Sequence, residues 1–184
     1  CFFEDALVAS EVLELTLTSR DCGEGKRAAM CGVPFHKADL YIGKLVEKGY
    51  KVAVCEQTED PAAAKGLVKR EVVRVVTPGT VTDGTLLNDR SNNFLCALCY
   101  TPSSLGVAFA DISTGQVLAT ELTGENVSGR LRNELFAFSP SEILLNISAS
   151  KMGEAGAFAR EFCHAVLTDK REELFDEKQA ARMT

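Results

Sequence analysis

The stretch Met30-Cys31-Gly32-Val33-Pro34-Phe35-His36 stands between two segments of different character in the first half of this chain. The segment before it, residues 19–29, is polar and contains two glycines, which indicates a loop. After Pro34 the apolar residues recur at helical spacing from about Lys37, and Gly49 is the expected helix stop. We therefore predict that the chain changes from loop to helix across this stretch.

Helices and strands also alternate in the rest of the first half. Apolar residues between Phe2 and Leu13 keep helical spacing, and Leu15-Thr16-Leu17-Thr18 alternates like a strand. Two β-branched runs further on predict strands at 51–57 and 71–77. The alanine-rich segment between them predicts a short helical turn at 62–66. The first half is therefore predicted to be a mixed α/β unit.

The second half has a different order of elements. Three strands joined by turn-like residues are followed by a helix, a strand, a helix and a strand, at 94–100, 105–112, 116–122, 127–138, 142–145, 153–162 and 165–168. Asn126 is the predicted N-cap of the first of these helices, and residues 172–184 are helical in character. Three antiparallel strands followed by αβαβ is the order expected of a ribonuclease-H-like sheet.

The charge of the chain is unevenly distributed. The 184 residues carry a net charge of −6, which by itself argues against a nucleic-acid partner because such partners favour basic surfaces. Residues 20–90 nevertheless hold 12 lysines and arginines against 10 acidic residues, whereas the segments on either side are acidic. A local phosphate-binding face in the middle segment is therefore compatible with the acidic total.

The cysteines and the lengths of the apolar runs indicate the environment of the protein. The seven cysteines are odd in number, and Cys55, Cys96 and Cys99 lie inside apolar strand-like runs, which indicates reduced, buried thiols in a cytosolic protein. No apolar run approaches the roughly 18 residues that a membrane span needs. We predict a cytoplasmic protein without membrane contact.

Several segments, read in order, carry a resemblance to a known family. They are Phe2-Phe3-Glu4-Asp5-Ala6, the quoted stretch at 30–36, Val52-Ala53-Val54-Cys55-Glu56-Gln57 and Arg74-Val75-Val76-Thr77-Pro78-Gly79-Thr80. Together they closely resemble the amino-terminal part of the bacterial MutS family of DNA mismatch-recognition proteins. The resemblance is dense over roughly residues 1–90 and looser beyond them.

The resemblance implies a fold and a division into domains. It implies an α/β fold with a mixed-sheet mismatch-recognition domain at 1–85, a linker at 86–93 within the polar segment 79–93, and a partial ribonuclease-H-like connector domain at 94–184. The family's Phe-x-Glu motif, whose Phe stacks on the unpaired base, precedes the segment that matches Cys1 to Ala6. We therefore expect this sequence to begin after that motif.

The resemblance also implies a function. Proteins of this family bind mispaired or looped-out bases in duplex DNA, and a mispair favours recognition because it makes a local kink of the duplex less costly. The connector is expected to pass the signal to the ATPase and to a MutL-type partner, and the full-length protein to form a homodimer. ATP and Mg²⁺ belong to the full-length protein, so we expect no cofactor and no enzymatic activity for these residues.

Three residues around the polar loop are the first candidates for DNA contact. Arg20 and Lys26 are basic residues in a glycine-bearing loop that leads to the apolar Met30. Basic side chains in such a loop suit phosphate contacts, and an apolar side chain can wedge into a base step of the minor groove. The pattern by itself favours Met30 as a core residue, whereas the resemblance implies that it contacts DNA.

Lys69 and Arg70 are the next candidates, since they belong to the densest basic run of the chain, together with Lys65 and Arg74. As phosphate contacts they would supply affinity and fix the register of the protein on the duplex, but they would not select a base sequence. A solvated strand edge is the alternative interpretation of the run. Arg70 is the strongest candidate, because it lies at the entry to a predicted strand.

Two alternative functions belong to other classes. One is a ribonuclease-H-like metal nuclease that uses Asp111, Glu134 and Asp169, but the strand at 94–100 lacks the acid that such enzymes hold in the first strand of the domain. The other is a protein-interaction module without DNA binding of its own. Cys96-x-x-Cys99 has no second ligand pair at zinc spacing, so we predict no metal site. With only two histidines in the chain no catalytic constellation is expected, so we also predict no catalytic residues.

Overall fold

The computed structural model describes residues 1–23, 25–60, 68–82, 92–169 and 175. The chain divides into two units, Cys1–Thr77 and Pro78–Thr184. The domain boundaries expected from the sequence remain predictions, because 83–91 lies outside the described residues. The helical turn predicted at 62–66 also lies outside them, as does the helical segment predicted at 172–184 apart from residue 175.

The first unit contains two helices and two small sheets. α1 spans Phe3–Val12 and α2 spans Ala38–Glu47, and a 3₁₀ turn at Phe35–Lys37 precedes α2. The strands are β1 (Thr18–Asp21), β2 (Arg27–Met30), β3 (Val52–Gln57) and β4 (Arg70–Val76). β1 pairs with β2 and β3 pairs with β4, both antiparallel. The two predicted helices and the last two strands are confirmed, with small differences at their ends.

A small apolar core forms where α1 packs beside the end of β2. Ala6 and Ala9 of α1 and Leu13 directly after it are buried together with Cys31, and Tyr41 of α2 packs against them. Burial of these side chains from water is the main force that holds the helix to the strand. The core therefore holds the end of β2 against α1, and α2 packs on the same core.

The polar segment before α2 is a β-hairpin, so two sequence predictions were wrong here. The strand predicted at 15–18 begins only at Thr18, and most of the loop predicted at 19–29 belongs to β1 and β2. All four residues of β1 are exposed, so no apolar alternation marks the strand. Polar groups hold the pair instead: the Thr18 hydroxyl donates to the Met30 carbonyl at 2.8 Å.

The second unit is built on one five-stranded sheet. Its elements in chain order are β5 (Phe94–Tyr100), β6 (Ser104–Asp111), β7 (Gln116–Thr123), α3 (Val127–Phe138), β8 (Glu142–Leu145), a 3₁₀ turn (Ala149–Met152), α4 (Glu154–Glu161) and β9 (Val166–Asp169). The strand order is β7-β6-β5-β8-β9, with β5–β7 antiparallel and β8 parallel to both of its neighbours. The predicted order of three antiparallel strands followed by αβαβ is confirmed; that the fold is ribonuclease-H-like stays a prediction.

The core of the second unit lies between the sheet and its two helices. Leu98, Leu131, Leu135, Ile143 and Leu145 are all almost completely buried in it. Full burial of one such side chain stabilises a fold by about 1.5–3 kcal/mol relative to exposure. This core is larger than that of the first unit, and it fixes α3 and α4 on the sheet.

The start of the second unit is a packed turn at Pro78–Thr80. Gly79 is buried, and a Cβ atom at this position would lie 2.8 Å from the Leu95 Cδ1 atom. Its N–H donates to the Glu142 carboxylate at 3.3 Å, and the Asn93 side chain donates to the Pro78 carbonyl at 2.9 Å. Gly79 and Asn93, the two ends of the polar segment 79–93, are therefore both held by hydrogen bonds within the second unit.

None of the helices in the described part of the chain combines the length and the apolar character that crossing a lipid bilayer requires.

Candidate nucleic-acid interface

The β1–β2 hairpin carries three of the five predicted DNA-contacting residues. Arg20 lies on β1 opposite Ala28 of β2, and Thr18 lies opposite Met30. Residues that face each other in an antiparallel pair have their side chains on the same side, and so do residues two apart on one strand. Arg20 and Met30 therefore share one face of the hairpin.

Met30 is held on both sides by backbone pairing. Its carbonyl accepts the Thr18 hydroxyl, and Phe2 forms an antiparallel bridge with it on the other side. The adjacent Cys31 exchanges hydrogen bonds with Cys1, whose amino group donates to the Cys31 carbonyl at 3.0 Å. The Met30 side chain is half-buried and does not belong to the apolar core beside α1. This position leaves part of the thioether on the face that also carries Arg20.

The turn of the hairpin places Lys26 at its end. Gly23 and Gly25 both adopt positive φ angles, of 84° and 72°, which favour glycine. The Asp21 carboxylate accepts the Gly23 N–H at 2.8 Å, and the Lys26 N–H donates to the Gly23 carbonyl at 3.0 Å. The Lys26 side chain is exposed beside this turn.

Arg27 has a different role from that of Arg20. Its guanidinium donates to the Ser19 hydroxyl at 2.8 Å and to the Ser19 carbonyl at 3.3 Å, and it lies opposite Asp21. These bonds join the two strands on the face opposite to Met30. The Arg20 side chain, by contrast, is exposed and has no hydrogen-bond or ion-pair partner among the described residues.

The second predicted basic group lies at the start of β4, in the other small sheet. The Lys69 ammonium contacts the Glu71 carboxylate at 2.6 Å, and the Arg74 guanidinium pairs with Asp39 of α2. Lys65 lies outside the described residues. Arg70 is exposed, pairs with Gln57 through the backbone, and has no side-chain partner within the described part of the chain.

The predicted candidates therefore form two groups in the first unit. Arg20, Lys26 and Met30 lie together on the hairpin β1–β2, and Lys69 and Arg70 lie at the entry to β4. Within the described residues the guanidinium groups of Arg20 and Arg70 are exposed and have no side-chain partner. A guanidinium can donate two parallel hydrogen bonds to a phosphate, which suits both residues for contact with a DNA backbone.

Phe35 is an exposed residue that the sequence reasoning did not select. It begins the 3₁₀ turn after Pro34, and its side chain is 89% exposed. His36 and Lys37 follow it in the same turn. A solvent-exposed aromatic ring beside basic residues suits contact with a nucleic acid, and the signal for it was present in the quoted stretch at 30–36.

Two of the three carboxylates of the alternative nuclease hypothesis, Asp111 and Asp169, have structural partners. Asp111 is buried and accepts hydrogen bonds from the N–H groups of Ser113, Thr114 and Asn93 and from the Ser113 hydroxyl. These bonds, that of the Ser113 hydroxyl above all, lower the pKa of the Asp111 carboxyl although its burial opposes the effect. Asp169 accepts the Ala149 N–H at 2.8 Å. No group of three potential metal ligands occurs in the described residues.

Cys96, one of the two cysteines on β5, is part of the apolar core of the second unit. Of the three thiols predicted to be buried, Cys96 is fully buried and Cys99 on the same strand is half-buried, whereas the prediction was wrong for Cys55, which is exposed on β3. Burial, and next to it the nearby Cys163, raises the pKa of the Cys96 thiol far above its usual range. A thiol that stays protonated is a poor metal ligand and a poor nucleophile.

Two protein-family models match this chain, MutS domain I over residues 1–85 and MutS domain II over residues 93–182. The chain belongs to the MutS family. The parts of MutS that it matches are domains I and II, and the α/β fold of both units agrees with that assignment.

Proteins named DNA mismatch repair protein MutS are similar to most of this chain. The MutS of Acetivibrio thermocellus is 57% identical over 145 residues, and that of Ruminiclostridium cellulolyticum is 58% identical over 145 residues; each match covers 79% of this chain and 17% of the relative. The MutS of Desulforamulus reducens is 54% identical over 151 residues, which cover 82% of this chain and 17% of the relative. The chain thus spans about a sixth of the length of these MutS proteins.

Proposed function

We propose that this chain contributes to the recognition of mispaired or looped-out bases in duplex DNA. The observation that carries the proposal is the match of residues 1–85 to MutS domain I, together with relatives that are named DNA mismatch repair proteins. The net charge of −6 does not oppose it, because the exposed cations of the first unit are local features of its surface.

In this proposal Arg20, Lys26, Lys69 and Arg70 contact DNA phosphates. The exposure of all four side chains supports the assignment, as does the lack of a described partner for Arg20 and Arg70. Each neutralised phosphate releases condensed counterions, so binding weakens as salt rises. Lys69 has to exchange its contact with Glu71 for a phosphate, and we expect it to contribute less than either arginine.

Met30 contacts a base step in the minor groove. The shared face of the hairpin supports this assignment, because it carries the apolar Met30 on the same side as the basic Arg20. Apolar side chains that insert between base pairs unstack and kink the duplex at a cost of about a few kcal/mol per step. A mispair has already lost part of its stacking, so the kink is less costly there and binding is favoured.

We further propose a role for the second unit and for the whole protein from family membership. The second unit would act as the connector that passes the signal to the ATPase and to a MutL-type partner. The whole protein would be a cytoplasmic homodimer that uses ATP and Mg²⁺. The present residues would have no catalytic activity; the structural partners of Asp111 and Asp169 support this part of the proposal.

Fluorescence anisotropy with a G·T-mismatched duplex and its matched homoduplex tests the proposal. We expect the chain to bind both duplexes weakly, and the affinity to fall steeply between about 50 and 200 mM salt. Arg20→Ala and Arg70→Ala should weaken binding to both duplexes equally, and each should reduce the slope of log affinity against log salt by about 1. Met30→Ala should reduce any preference for the mismatch.

Arg160→Ala is the matched control, because Arg160 is an exposed arginine on α4 in the second unit. It should leave both the affinity and the salt slope unchanged. Absence of binding at low salt would contradict the proposal, and so would equal effects of Arg160→Ala and Arg20→Ala.

A further inference from the structure

Two phenylalanines of the second unit face solvent, one on α3 and one directly after α4. Phe136 on α3 is 72% exposed, and Phe162, which directly follows α4, is 67% exposed. Aromatic rings are strongly apolar, and exposed groups of them mark interaction surfaces on soluble proteins. Their presence on adjacent elements makes this face of the unit the strongest candidate for a second binding surface.

Phe162, one of these two rings, is held by contacts with its neighbours. Phe158 stacks on Phe162 with ring centroids 4.9 Å apart and an interplanar angle of 24°. The Arg132 guanidinium lies over the Phe158 ring, 5.3 Å from its centroid. Side chains that are already ordered lose less conformational entropy when a partner binds, so such a surface is preorganised for docking.

A groove of about 420 Å³ lies beside these rings, and we call it the α3–α4 groove. Phe136 and Phe158 form its apolar wall, and Gly129, which lacks a side chain, also lines it. On α3, Arg132 and Phe136 are four residues apart and therefore lie on the same side of the helix. The groove thus combines apolar anchors with cationic side chains along a helix surface.

The charge around the groove indicates which charge a partner should carry. Arg130 and Arg132 line it, and none of its described lining residues is acidic. The Arg130 guanidinium is held in place by donation to the Thr123 carbonyl at 2.8 Å. Residues 92–169 as a whole hold eight acidic and four basic residues, so a polyanion such as single-stranded nucleic acid is repelled. A partner with an apolar segment and only one or two carboxylates, however, can pair these carboxylates with Arg130 and Arg132.

We propose that the α3–α4 groove docks a short amphipathic helix of another protein. Bulky apolar residues of that helix, at i, i+3 or i+4 and i+7, pack against Phe136 and Phe158. A glutamate or aspartate beside these anchors pairs with Arg132 and Arg130. This interaction surface belongs to the second unit and goes beyond the proposed contact with DNA, so the two proposals succeed or fail separately.

Selection of displayed helical peptides against the 184-residue chain tests this proposal. A library of amphipathic peptides about 16 residues long should yield binders with apolar residues at helical spacing and carboxylates beside them. Phe136→Ala should weaken these binders by about tenfold or more. Arg132→Glu should weaken them similarly, and should restore binding to peptides in which the acidic residues are replaced by lysine.

Val117→Ala is the matched control, since Val117 is an equally exposed apolar residue (68%) on β7 of the same unit. It should leave peptide affinity unchanged, and circular dichroism should show that all variants fold. The proposal is overturned if no peptides are enriched, or if enriched peptides bind Phe136→Ala as tightly as the unaltered chain. It is also overturned if oligothymidylate binds at the groove, or if Phe136→Ala abolishes self-association of the chain rather than peptide binding.

Discussion

Asp111 shows how one buried charge can organise the end of a strand. It is 1% exposed, and its carboxylate accepts hydrogen bonds from Ser113, Thr114 and Asn93. A buried carboxylate without such donors would be strongly unfavourable, whereas one with several of them is stabilised in its ionised form. Asp111 therefore closes the β6–β7 turn and ties it to the beginning of β5.

We predict that Asp111→Asn destabilises the second unit by about 2 kcal/mol at neutral pH, because the amide nitrogen in place of Oδ2 faces the Asn93 N–H and cannot accept from it. The hydrogen bonds lower the pKa of Asp111 from its ordinary value of 3.8. Its stabilising effect is therefore present above pH 3.8 and is lost as the pH falls through the lowered pKa. Urea unfolding at several pH values measures this: the difference between the two proteins should shrink in acid.

Gly79 allows a second test at the residue scale. A Cβ atom there would meet Leu95 Cδ1 at 2.8 Å and Glu142 Cβ at 3.0 Å, and both neighbours are held in the sheet. Gly79→Ala should therefore destabilise the second unit by about 1–3 kcal/mol through overpacking. The exposed glycines of the second unit, such as Gly115, have positive φ angles, so the control is Gly32→Ala, at an open position of the first unit without a positive φ angle. Thermal unfolding that shows no difference between the two variants would contradict this packing.

At the scale of single elements, α3 shows how a helix can begin under strain. Its N-cap Asn126 lies in the left-handed region at φ 55°, and its side chain accepts the Gly129 N–H at 3.3 Å. Asparagine tolerates this conformation better than most residues, and its side chain also satisfies one of the unpaired N–H groups of the first helical turn. Both properties explain why asparagine precedes α3.

Two substitutions separate the contributions of the Asn126 side chain and backbone. Asn126→Ala should lose the cap and retain an unfavourable backbone conformation, which together cost about 2 kcal/mol. Asn126→Gly should lose the cap but adopt the positive φ angle freely, so its cost should be smaller by about 1 kcal/mol. Denaturant unfolding of both variants measures the difference. Equal destabilisation would mean that the left-handed backbone conformation costs nothing at this position.

For the whole molecule, the two units differ in how their strands are protected. β5 and β8 lie inside a five-stranded sheet that is covered by α3 and α4 through a large apolar core. β3 and β4 form a sheet of two strands, in which Val72, Val73 and Val75 are exposed. A two-stranded sheet is only marginally stable without further packing, so the described first unit depends on its small core beside α1.

Hydrogen exchange should therefore distinguish the two units. Amides in the centres of β5 and β8 should exchange slowest, at rates that report global unfolding of the second unit. Amides of β3 and β4 should exchange faster by about two orders of magnitude or more, because opening this pair exposes little apolar surface. Mass spectrometry of labelled peptides measures both sets. Equal protection of the two sheets would show that the first unit has stabilising contacts beyond those described.

The elements of the second unit were determined by the sequence to a large degree. Phe94–Tyr100, Glu142–Leu145 and α3 were predicted with the bounds that the structure has, because their apolar periodicity is local and agrees with the packing of the sheet. The family was also readable in the sequence, from ordered motifs such as the stretch at 30–36. Periodicity and motifs are properties of residues close together in the sequence, so they can be recognised without knowledge of the fold.

Only the tertiary structure decided which side chains share a face, form ion pairs or are buried, because these properties depend on residues far apart in the chain. The hairpin β1–β2 has no apolar alternation, and cross-strand pairing is what places Arg20 and Met30 on one face. The contact between Arg74 and Asp39, 35 residues away, removed one cation from the predicted basic run. Burial of Gly79 likewise depends on Leu95 and Glu142 in the sheet. Charge and exposure of a side chain are set by its neighbours in space, and the sequence order does not state which residues those are.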